Sequence, residues 1–214
     1  MKDPLGVFLD VSLSTLQGCV FRLSDSHIIK AWALELTHES PLSEILPSLW
    51  RTQFQESAGS VLFQKVSHLY VLQGPGALTS LRVLFAHLVA IQTAFPHIRF
   101  QGVPTPVLLN RMRFGVQSES HSFVMRVGRF AFISGQCLQP STYRTFRLVS
   151  AEDWQGFTAQ LEGGVCLFLG ALLPPQLSPS NLEWIHQGFA LSPQRVLEHL
   201  DCFTPVGKLL PVQP

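Results

Sequence analysis

Two stretches of this chain hold side chains whose type and spacing could do chemistry. In the first, the apolar run Gly6–Leu9 ends in Asp10, and Ser12 and Ser14 follow in the next turn. A carboxylate after a strand can order a metal or water, and hydroxyls in the turn beyond it can hold phosphate. In the second, the strand pattern Leu69–Leu72 runs into Gln73-Gly74-Pro75-Gly76 and then into a long helix pattern with Thr79 near its start. Glycines permit positive φ and close backbone approach, and a helix N-terminus offers free N–H groups to an anion. Together Asp10, Ser12, Gly74, Gly76 and Thr79 could form phosphate loops. An ordinary polar turn and a tight strand-to-helix turn that bind nothing account for the same residues.

Other catalytic arrangements find little support. A hydrolase needs a nucleophile, a base and an orienting acid, and the chain has no Gly-x-Ser-x-Gly elbow. Cys166 and His186 form no recognisable pair, and Glu152 and Asp153 fit the first turn of a helix, where the dipole favours them. A Gly-x-x-x-x-Gly-Lys-Ser phosphate loop is missing. None of the eight histidines lies four residues from another. They read as core or surface side chains, so neither a metal nor a cofactor is expected.

The bulk numbers narrow the setting. Of 214 residues, 46% are hydrophobic and 14% charged, against about 25% charged in an ordinary soluble chain. Such a chain forms a core rather than staying disordered, and its charge-poor surface favours a partner. The formal net charge of +1 lacks the basic excess of a nucleic-acid binder, so any contact with a nucleic acid is expected to be indirect. Arg111, Arg113, Arg126 and Arg129 read as a solvated face. Cys19, Cys137, Cys166 and Cys202 are widely spaced beside apolar runs, which suits reduced thiols in a cytoplasmic protein. The most apolar helix pattern, 78–95, carries Arg82, His87 and Gln92. It is read as a buried or partner-facing helix, not a membrane span.

Elements that would position these residues follow from pattern and punctuation. Strands at 6–9, 17–23 and 28–36 with short polar turns predict an antiparallel meander. A helix over 41–54 follows, capped by Ser40 with Pro41 in its first turn and Pro47 bending it or moving its start. Next come a strand at 68–72, a helix to Phe95 with Thr79 or Ser80 as cap, and a strand at 99–103. Beyond these the spacing predicts a helix at 106–112 and strands at 122–127, 130–135 and 143–149. A helix from Ser150 to 163, a strand at 165–169 and helices at 180–189 and 192–200 complete the pattern, with a loose Pro-rich tail at 204–214. The chain is expected to be α/β in two lobes, 1–103 and 104–214.

In this order, Asp10-Val11-Ser12-Leu13 and Gln73-Gly74-Pro75-Gly76-Ala77-Leu78-Thr79-Ser80-Leu81-Arg82 resemble the two motifs of the TsaB family. Gly102-Val103-Pro104-Thr105 is similar to that family's strand-to-helix segment. The resemblance covers about residues 6 to 106 and fades beyond. Val11 and Leu13 stand where the family has Thr, Ser80 replaces a common Gly, and Met125-Arg126-Val127 stands where an Asp-Ala-Arg segment is expected. These departures weaken a nucleotide or phosphate role and leave the scaffold intact.

The resemblance implies a two-lobed actin/Hsp70-like (ribonuclease H-like) fold with a degenerate second lobe. It also implies a non-catalytic subunit of the complex that makes threonylcarbamoyladenosine on tRNA. Catalysis would reside in a TsaD-like transferase, and a TsaE-like ATPase would join the two. Docking is expected through first-lobe helices, by Leu42, Ile45 and Leu49 on one and by Val83, Ala86, His87, Ala90 and Ala94 on the other. Two alternatives stand beside this reading: a small-molecule kinase or ATPase of the same superfamily, and a paralogue that homodimerises through the same helices.

Overall fold

The structure is a computed structural model of the chain. It describes residues 3–11, 15–37, 41–54, 62–74, 78–115, 121–126, 131–138, 142–150, 165–169, 183–187 and 192–206. Within 121–187 it describes the backbone and the side chain of Phe123.

The expected opening meander is present as β1 (Leu5–Asp10), β2 (Thr15–Arg22) and β3 (Ile28–Glu35), paired antiparallel in sequence order. Helix α1 (Leu42–Phe54), β4 (Val66–Leu72), helix α2 (Leu78–Ala94) and β5 (Arg99–Val103) follow. β4 pairs parallel with β1, and β5 pairs parallel with β4. Every residue of β1 is buried, as expected of a strand covered by helices on both faces of its sheet. Gly18 on β2 is required by close approach: a Cβ there would meet the Phe8 carbonyl and the Trp32 ring.

α1 begins at Leu42, one residue later than expected, because the Pro41 carbonyl accepts the first helical bonds, from Glu44 and Ile45 N–H. It runs through Pro47. Ser40 lies outside the described residues. α2 starts at Leu78, so Thr79 and Ser80 lie inside its first turn instead of capping it. It buries Leu81, Leu84, Leu88 and Ile91, a stripe at helical spacing. Each such side chain stabilises the fold by roughly 1.5–3 kcal/mol. With α1 they cover one face of the sheet and enclose an aromatic cluster of Trp32, Trp50, Phe54, Phe63 and Phe95.

The opposite face is covered by helix α3 (Thr105–Phe114) and by the returning C-terminal segment. That segment holds helix α4 (Pro193–Leu197), a 3-10 turn at Leu200–Cys202 and β11 (Thr204–Pro205). The helix expected over 192–200 is thus broken: α4 ends at Leu197. The expected loose tail is corrected at its start, where β11 pairs antiparallel with β5. Residues 207–214 lie outside the described residues.

A second sheet comprises β6 (His121–Arg126), β7 (Ala131–Leu138), β8 (Thr142–Ser150), β9 (Val165–Leu169) and β10 (Glu183–Gln187). β10 corrects the expected helix over 180–189. Its five residues pair parallel with β9, and a run that short does not separate strand from helix by period. The helix expected from Ser150 lies outside the described residues beyond Ser150 itself, which ends β8.

The two sheets repeat one plan. The first runs β11-β5-β4-β1-β2-β3 and the second β10-β9-β6-β7-β8. Each is an antiparallel three-strand meander whose first strand also pairs parallel with a fourth, and the fourth with a fifth.

Candidate functional site

Parallel pairing carries the ends of β1, β4 and β5 to one end of the first sheet. Leu9 is level with Val71, and Leu72 with Val103. Asp10, Gln73, Gly74 and Thr105 therefore gather there, as the two sequence motifs require. Gly74 has φ +87°, a conformation that glycine adopts without a Cβ clash. Gln73 N–H donates to the Val103 carbonyl at 3.0 Å, and Thr105 N–H to the Gly74 carbonyl at 2.9 Å.

Asp10 is 1% exposed, and its Oδ2 accepts a hydrogen bond from Gln17 Nε2 at 3.0 Å. Gln17 lies opposite it on β2. A carboxylate that orders a metal must present an oxygen to the ligand, and this one is enclosed. At the start of α3, Thr105 N–H is taken by Gly74, Pro106 has none, and Val107 and Leu108 N–H both donate to the Pro104 carbonyl. That helix end keeps no free donor in its first turn for an anion. Thr79 is exposed on α2. Ser12 and Gly76 lie outside the described residues.

The two cysteines whose side chains are described, Cys19 and Cys202, are also poor nucleophiles. Burial pushes the Cys19 thiol up to about 12. Burial and then the Asp201 carboxylate push Cys202 up to about 11. Neither is a ready thiolate at neutral pH.

The helix residues expected at an interface divide. Leu42 and Leu49 are 5% and 3% exposed and belong to the core of their own chain, so they offer no surface to a partner. Ile45 and Val83 are half-buried against that core. His87 is half-buried, and Ala86, Ala90 and Ala94 are exposed along the outer side of α2. Val89, 47% exposed, joins them. It escaped the sequence reading, which looked for small residues, although its spacing from Ala86 and Thr93 places it on the same side. Gln17 was also missed, although a side chain beginning β2 must face the one ending β1 in a tight hairpin.

No protein-family model matches this chain, and no curated protein matches it. Among solved structures, it is similar to YeaZ from Pseudomonas aeruginosa, with a TM-score of 0.58 and 14% identity over 99% of this chain and 100% of that one. It is also similar to an uncharacterized protein with similarity to peptidase YEAZ, again from Pseudomonas aeruginosa, with a TM-score of 0.50 and 14% identity over 80% of this chain and 86% of that one. A Bacteroides thetaiotaomicron protein with actin-like ATPase fold and unknown function matches with a TM-score of 0.47 and 10% identity, over 81% and 85% of the two chains. At these identities the likeness is one of fold. The fold is the actin-like one that the sequence resemblance implies. Among the described residues, no helix is long and apolar enough to cross a membrane.

Proposed function

We propose that this chain is a TsaB-like, non-catalytic subunit of the machinery that makes threonylcarbamoyladenosine on tRNA, and that it docks on a TsaD-like transferase. The observation that carries the reading is the whole-length likeness to YeaZ, a TsaB homologue, which agrees with the two sequence motifs. The enclosure of Asp10 by Gln17 supports a non-catalytic role. The docking surface is the outer side of α2, where Ala86, Val89, Ala90 and Ala94 leave an apolar strip of small side chains. Small residues let a partner helix approach closely and complete the packing that one lobe leaves open. A TsaE-like ATPase would join the assembled pair, and tRNA would be met only through the partner.

Copurification from the chain's own host tests this. A TsaD-like protein should be recovered with the tagged wild type and lost with Ala90→Glu. Leu42→Ala should weaken folding and recovery together. Normal recovery with a folded Ala90→Glu variant would remove α2 from the interface. Magnesium-dependent nucleotide binding abolished by Asp10→Asn would instead favour a kinase.

A further inference from the structure

Arg82 is exposed on α2 and, among the described residues, forms no hydrogen bond or ion pair. Arg22 and Arg111 behave otherwise: each meets a carboxylate of its own chain at 2.7 Å, Asp25 and Asp201. The sequence around Arg82 explains the difference. The 17 residues of α2 include no Asp or Glu, so the pairings three and four residues apart that hold helix charges are missing. Glu44 is the one carboxylate of α1, the helix packed beside α2, and it lines the groove beside β3 with Trp32 and Leu34. Arg82 is also the fifth residue of its helix, toward the end that disfavours a cation. The described residues thus give this guanidinium no counter-charge.

Arg82, Ala86, Val89 and Ala90 lie at i, i+4, i+7 and i+8, on a single side of the helix. Ala86 and Ala90 are exposed there, and Val89 is 47% exposed. Arg82 therefore stands at the N-terminal end of the apolar strip. On the reading of α2 as the docking side, on which this rests, we infer that Arg82 is the polar anchor of the strip, received by a carboxylate of the transferase. Small side chains let the partner's backbone close in, and a guanidinium at the edge of such a contact is partly desolvated. A fork of two N–H donors to one carboxylate gains strength there and fixes the register of one surface on the other.

The other common acceptor of a guanidinium is a nucleic-acid phosphate. Phosphate backbones are met by several cations at once. On this side of α2 the exposed neighbours of Arg82 are Thr79, Ala86 and Val89. One cation bordered by apolar side chains fits one carboxylate in a protein contact.

Association of the purified full chain with the purified TsaD-like transferase of the same host, at low and high salt, tests the pairing. Arg82→Gln should raise the dissociation constant about tenfold or more, and salt should slow association of the wild type more than that of this variant. Arg82→Lys should keep only part of the affinity, since an ammonium lacks the fork. Arg82→Glu should abolish binding, and one carboxylate-to-arginine exchange on the transferase surface should restore it. Near-UV circular dichroism establishes that each variant is folded. Wild-type affinity in Arg82→Gln, or an Arg82→Glu variant that no exchange rescues, would overturn the anchor, while loss of binding with Ala90→Glu would still keep α2 at the interface. Wild-type binding that appears only when tRNA is added would assign the guanidinium to a phosphate and overturn the anchor as well. Binding indifferent to both Arg82→Glu and Ala90→Glu would remove the docking side itself.

Discussion

The two faces of the first sheet are covered in different ways. The face under α1 and α2 is covered by chain between residues 42 and 94, adjacent in sequence to the strands it covers. Its core closes on stacked aromatics, with Phe54 and Phe63 at 4.4 Å. The face under α3 is completed only when residues 192–206 return to it. There Val196, Leu197 and Phe203 join Phe8, Phe21, Tyr70 and Leu108 in one cluster. The first face is built by local order, the second by a long closure, and the closing segment shares its edge with β5 through β11. Apolar burial is similar in kind on both faces, but the second brings together segments on either side of the second sheet's strands.

The sharpest way to break this comparison is to hollow out each face in turn. Phe54 is 1% exposed and touches Trp32, Trp50 and Phe63. Phe54→Ala should cost about 3–5 kcal/mol in denaturant unfolding. Phe203 is 7% exposed and meets Phe8 and Tyr70 edge to face. Phe203→Ala should cost about 3 kcal/mol. If it costs under about 1 kcal/mol, the returning segment is a veneer and not part of the core.

A smaller effect is expected at the polar latch of the same segment. Arg111 on α3 donates to Asp201 at 2.7 Å, across 90 residues of sequence. Their side chains are 13% and 62% exposed. Water reaches the carboxylate, which limits the pair to about 1 kcal/mol or less. Arg111→Ala should therefore destabilise by about 1 kcal/mol, part of it lost stem packing, and Asp201→Asn by less. Equal losses in urea titrations would mean that the charge pair, not the packed stem, holds the latch.

This contrast also explains what was legible in the sequence. The meander, α1, α2 and β5 follow from periodicities and turns that local chain can express, and β5 falls at the expected Arg99–Val103. The return of residues 192–206 is not written in any local pattern. Thr204 and Pro205 read as a loose tail, and only the β5 edge makes them a strand. Glu183–Gln187 read as helix for a related reason, since its partner β9 supplies the bonds. At the candidate site, the sequence located Asp10 and Gly74 at the ends of two strands, which the structure pairs. It could not show that Gln17 encloses the carboxylate, because that depends on hairpin register. Leu42 and Leu49 were expected at a partner interface, but they lie in the stripe that the chain's own core takes up.

The smallest expected effect lies where the two faces share a strand. His68 on β4 is level with Arg99 on β5, stacks on Tyr70, and has its Nδ1 3.0 Å from Ser67 Oγ. Burial first, and then the Arg99 charge, hold its imidazole below the usual value of 6.5. The unfolded chain therefore takes up a proton at this residue before the folded one does. As pH falls from about 6.5 toward the lowered folded value, the unfolded state binds more protons and stability declines. Above that window the neutral ring contributes its full stability. His68→Gln should remove this share of the acid slope while leaving stability near pH 8 close to wild type. Urea unfolding of both proteins at a series of pH values measures it. A parallel decline in the two proteins would locate the acid sensitivity elsewhere, and a steeper decline in the variant would mean that the folded state favours the charged ring despite Arg99.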